Sequence, residues 1–114
     1  MDHTRKMIRL TALVGTVAGS RKTRHTVGLP EGPQELMPLP DVVLLQKPPG
    51  EGAMIYRYTS AGEFCGDTWH ETLECAKKQA AFEYGPALGE WVEIPEGVEN
   101  GHDYAIQVAA RREL

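Results

Sequence analysis

A chain of 114 residues, 41% hydrophobic and 25% charged, has room for one globular domain and little apolar surface to spare. Its net charge of −4 argues against wholesale nucleic-acid binding, and no apolar run approaches the ~20 residues of a membrane helix. Two cysteines, Cys65 and Cys75, are too few for a disulfide scaffold and are expected as free thiols in a reducing cytoplasm.

The first element is a strand within Met7 to Val17, with Ile8, Leu10, Ala12 and Val14 on one face. Its basic flank and apolar run have the ingredients of an export signal. Asp2, two threonines and a glycine interrupt them, and no small-x-small cleavage site follows. Gly15 to Ser20 lacks the Lys-Ser/Thr ending of a phosphate-binding loop. Residues 18–40 hold three glycines and four prolines, which oppose regular hydrogen bonding and read as a linker. The folded core is therefore expected to begin near Met37 or Asp41. Residues 1–36 become a flexible N-terminal extension, residues 37–114 the core domain, and Met37 an alternative translation start.

Asp41 to Lys47 is an apolar, β-branched run suited to a buried strand, and it is also weighed as an edge for homodimerisation. Pro48-Pro-Gly-Glu-Gly52 breaks it. Ala53 to Thr59 is a second strand with Met54, Tyr56 and Tyr58 on one face. Ser60 to Glu63 turns a hairpin, and Phe64 to Trp69 returns, with Gly66 marking a bulge or a close backbone approach. A helix follows, capped by Thr72, with Leu73, Ala76, Ala80 and Tyr84 as its inward stripe and Gly85-Pro86 as its stop. Glu90 to Ile94 is a short strand. A last helix runs from about His102 to Arg112, capped by Asn100 or Asp103, with Tyr104, Ala105, Val108 and Ala109 facing inward. The fold class is α+β: a small antiparallel meander sheet with a β-β-β-α-β-α core and helices on one face.

Charge divides unevenly along this order. Residues 1–59 carry eight Lys/Arg against five Asp/Glu, and residues 60–114 four against eleven, a net +3 beside a net −7. An acidic half suits a basic partner, self-association, or simple solvation.

Three constellations offer chemistry. Asp67-Thr-Trp-His-Glu71 sits at a strand-to-helix junction, where Asp67 and His70 pair as orienter and base only if Cys65 converges on them with a lowered pKa. The same residues also make an ordinary helix start. Cys65, His70, Cys75, His102 and Asp103 have no zinc-site spacing, so no metal or cofactor is expected. Arg21, Lys22 and Arg24 form the one basic cluster, a candidate contact for phosphate or RNA backbone, without the aromatics that stack bases.

Trp69, Trp91, Tyr56, Tyr58 and Tyr84 are many large aromatics for so small a core. Partly exposed on an open sheet face and ringed by carboxylates, some of them make an interaction surface. Tyr56, Tyr58, Trp69, His70 and Trp91 are its candidate residues. The functional expectation is a small, soluble, non-enzymatic protein-interaction module, with an unknown protein or a second copy as partner. The Cys65/Asp67/His70 enzyme site and polyanion binding by residues 20–26 are the alternatives.

The segment from Tyr56 through Gly66-Asp67-Thr68-Trp69-His70 to Ala80, followed by Gly89 to Pro95, resembles a group of small uncharacterised bacterial α+β proteins. The likeness covers roughly Met37 to Ala110, and the Gly-Asp-Thr-Trp-His block is its specific part. It implies no activity, ligand or catalytic residue.

Overall fold

Val42, Val43, Leu44 and Leu45 are four consecutive apolar residues in one strand, and all four are fully buried. Successive side chains on a strand point to opposite faces, so such a run requires cover on both sides of its sheet. The structure, a computed structural model describing residues 6–15, 26–27, 35–36 and 39–112, supplies that cover.

The main sheet has five antiparallel strands. They are β1 (Ile8–Leu13), β4 (Val42–Lys47), β5 (Ala53–Tyr58), β6 (Phe64–His70) and β7 (Val92–Glu93), in the spatial order β6-β5-β4-β1-β7. Two short strands, β2 (Thr26–Val27) and β3 (Glu35–Leu36), pair with each other. Helix α1 (Leu73–Tyr84) lies on one face of the main sheet, where Ala76, Ala80 and Tyr84 pack with Ala12, Val14, Val43, Leu45 and Ile55. Helix α2 (Gly101–Arg112) covers the other face, where Ala105 and Ala109 meet Val42, Leu44 and Ile94. Among the described residues, no helix is long and apolar enough to cross a membrane.

The α+β class, the β4-β5-β6 meander and the β-β-β-α-β-α order agree with the sequence reading. Three features differ. The helices lie on opposite faces rather than one, because the apolar run of β4 is inward on both. Val42–Lys47 is consequently an interior strand, not an edge, and offers no surface for dimerisation. The core also begins before Met37. Strand β1 is seated between β4 and β7, with six register pairs to β4 from Ile8↔Lys47 to Leu13↔Val42. The pairing of β2 with β3 adds hydrogen bonding to a stretch read as linker.

Local signals account for the helix ends. The Thr72 hydroxyl accepts from the Cys75 amide at 3.1 Å, and Asn100 Oδ1 accepts from the Asp103 amide at 3.1 Å. Gly85 ends α1 with φ of 51°, a conformation that favours glycine.

Candidate functional site

On its face of the sheet, helix α2 reaches β1 and β4 and meets β5 at Tyr56 and Tyr58, but leaves Phe64 and Trp69 of β6 uncovered. Register places Met54, Tyr56 and Tyr58 of β5 on that face, with Trp69, Asp67 and Phe64 directly opposite them on β6. Trp69 is 63% exposed and Phe64 45% exposed. Phe64 shares this face with Trp69 because of a bulge: Cys65 and Gly66 together oppose Arg57, and Gly66 carries φ of 101°. A regular strand of period two would have put residues 64 and 69 on opposite sides.

Trp69 is held by a glycine. A Cβ built on Gly52 would fall 2.4 Å from the indole, so the ring occupies space that only glycine leaves free. One face of the indole lies on backbone, and the rest stands in solvent. Tyr56 and Tyr58 pack edge-on to His102 of α2, at centroid distances of 4.6 and 5.6 Å, and Tyr58 meets Phe64 at 6.0 Å. The Tyr58 hydroxyl lies 2.5 Å from His102 Nδ1 and donates to it when the ring proton is on Nε2. Burial, then Tyr56, Asp67 and Asp103, push the Tyr58 phenol above its ordinary pKa. Asp67 and Asp103 thus bring negative charge to the aromatic cluster, and Glu51, Glu63 and Glu71 are exposed in the turns at its ends.

His70 belongs to the opposite face. There Arg57 and Glu83 form a two-point ion pair with both side chains fully buried, Nε to Oε1 at 3.0 Å and Nη2 to Oε2 at 2.8 Å. Arg57 Nη2 also donates to Thr68 Oγ1 at 3.0 Å, and the same hydroxyl shares a hydrogen bond with His70 Nε2 at 2.7 Å. Gln79 donates to Glu83 Oε2 at 2.7 Å. The buried Tyr84 hydroxyl beside this network has no hydrogen-bond partner among the described residues, and burial pushes its pKa strongly upward.

His70 and His102 each share a hydrogen bond with a hydroxyl, of Thr68 and Tyr58 respectively. Burial, followed by the Arg57 charge, lowers the His70 pKa, and burial lowers that of His102 against the opposing pull of Asp103. With folded pKa values below the ordinary 6.5, the native state binds fewer protons than the unfolded chain as pH falls through that window. Their contribution to stability is therefore complete above pH 6.5 and declines below it. Ring-proton NMR is expected to give midpoints below 6.5 for both; a midpoint at or above that value would contradict the burial of the two rings.

The expected residues thus separate. Tyr56, Tyr58 and Trp69 share one face of the sheet, and Phe64, in contact with Tyr58, shares it too. His70 turns to the α1 face, and Trp91 packs half-buried against the α1-side core. Cys65 is buried opposite Arg57 with its thiol 3.4 Å from the Glu63 carbonyl, while Asp67 points to the other face from His70. The structure does not assemble a Cys65/Asp67/His70 site. Cys75 is exposed on α1, and no group of three metal-ligating side chains occurs among the described residues. Arg21, Lys22 and Arg24 lie outside the described residues. Sequence reasoning missed the Arg57–Glu83 pair, although Arg57 alternates with Ala53 and Ile55, and Glu83 follows Ala76 and Ala80 at helical spacing. Opposite charges at two inward positions were the available signal.

Comparison of the chain with protein-family models, with curated proteins and with solved structures finds no match.

Proposed function

We propose that this chain is a non-enzymatic protein-interaction module whose contact surface is the β6 side of the sheet that α2 leaves uncovered. The observation that carries the reading is Trp69, 63% exposed, with its indole seated on Gly52 and Phe64 exposed nearby on the same face. Exposed apolar patches mark interaction sites, and tryptophan is among the residues enriched at the energetic centres of protein interfaces. The exposed free thiol of Cys75 suits a reducing compartment, and we place the module in the cytoplasm.

Photo-crosslinking tests this reading. A benzophenone side chain at position 64 is expected to form protein adducts, with a different protein or a second copy, that the same group at exposed Glu74 on α1 does not. Gly52→Ala displaces the Trp69 ring at a stability cost of about 1 kcal/mol or less and is expected to weaken those adducts several-fold. No adduct at position 64, or the same adducts at both positions, would sink the proposal.

A further inference from the structure

Strand β6 is an outer strand of the main sheet, and among the described residues nothing pairs with its free side. The other outer strand, β7, is two residues long. An exposed edge presents unpaired amides and carbonyls that accept an added strand. The Gly66 bulge disrupts the first part of this edge, leaving Asp67 to His70 as its regular stretch. Within that stretch Asp67 and Trp69 are two residues apart and share the open face. An added strand has the same period of two, so its alternate side chains run beside these two residues.

Charge selects among possible strands. Glu63 and Asp67 are exposed on or beside β6, with Glu51 and Glu71 in the flanking turns and Asp103 on α2 next to Tyr58. The one basic residue of β5 and β6, Arg57, is buried on the far face and paired with Glu83. A cation entering this face therefore meets carboxylates and aromatic rings with no competing positive side chain from these strands. Arginine fits both neighbours: it pairs with a carboxylate and stacks on an indole face.

Resting on the interaction reading above, we propose that the Asp67–His70 edge of β6 binds an extended basic peptide as a sixth strand, with alternate arginines lying against Asp67 and over Trp69. Strand pairing supplies the docking geometry, while the carboxylates and the indole supply the preference for positive charge.

The test uses the full chain carrying Trp91→Phe, so that Trp69 is the one remaining tryptophan. The probe is a short peptide alternating arginine with threonine. Titration is expected to shift Trp69 emission, with affinity about tenfold above that of a glutamine-threonine counterpart. Raising salt from about 0.05 to 0.5 M is expected to weaken binding several-fold. N-methylation at alternate residues of the peptide is expected to abolish binding by removing ladder donors. Asp67→Asn is expected to reduce affinity severalfold. Equal binding of the glutamine or N-methylated peptide overturns the proposal. So does a concentration-dependent dimer that Trp69→Ala abolishes without any peptide binding, since the occupant is then a second copy. If the arginine peptide fails while the position-64 adducts persist, this proposal falls and the interaction reading stands. If neither forms, both fall.

Discussion

Replacing Glu83 by alanine is expected to destabilise the protein by about 3–5 kcal/mol, because it strands the Arg57 guanidinium in a site that water does not reach. Against a total stability of roughly 5–15 kcal/mol for a domain of this kind, that is a large fraction. The ion pair itself is not the source of so large an effect. Two charges taken out of water lose hydration that their mutual attraction only about repays, so the damage comes from leaving one of them alone. Here the loss spreads further, since Glu83 also accepts from Gln79, and Arg57 also holds Thr68, whose hydroxyl shares a hydrogen bond with His70. Urea unfolding of Glu83→Ala should show a lower midpoint with an unchanged slope. The double variant Arg57→Met, Glu83→Leu should recover most of the loss, as apolar side chains fill the volume with no charge to solvate. A loss below about 1 kcal/mol in the single variant would mean that Arg57 finds water, contrary to its full burial.

A chain shortened to begin at Met37 is expected not to fold. It loses β1, whose Thr11, Ala12 and Val14 are buried and whose Leu10 and Leu13 pack against the two helix-side cores. Withdrawing these side chains alone forfeits on the order of 8 kcal/mol of burial. The loss also bares one edge of β4 and leaves β7 without a partner. The Thr11 hydroxyl, which donates to the Val43 carbonyl at 2.9 Å, goes with it. Far-UV circular dichroism and urea titration of residues 37–114 should show no cooperative transition. A cooperative transition with native-like helix content would show that β1 is dispensable.

These two results bear on what the sequence disclosed. The meander, both helices, their caps and the stop at Gly85 were legible because each rests on a local signal: period two, period three to four, a hydroxyl or amide cap, a glycine beyond the last turn. The placement of β1 was not, because pairing between residue 8 and residue 47 leaves no mark on either segment. The two-sided cover of the sheet was written in Val42 to Leu45, whose unbroken apolar run already excluded an edge. Of the candidate surface, Tyr56, Tyr58 and Trp69 were found by alternation. Phe64 was hidden by the bulge at Gly66, which reverses the parity of the residues before it. His70 and Trp91 were misplaced for a related reason: being aromatic and near Trp69 in sequence or composition says nothing about which face a side chain takes.

The position of β1 has a consequence for how the chain is made. It is synthesised before its partners, of which one ends at Lys47 and the other, β7, begins at Val92. Helix α2, which covers Val42 and Leu44, comes later still. Every one of these pairings joins residues far apart in sequence, the kind of contact that slows folding. On the ribosome, the nascent chain therefore carries an apolar sheet face and an open strand edge until α2 has emerged, and its exposure to aggregation is concentrated before that point.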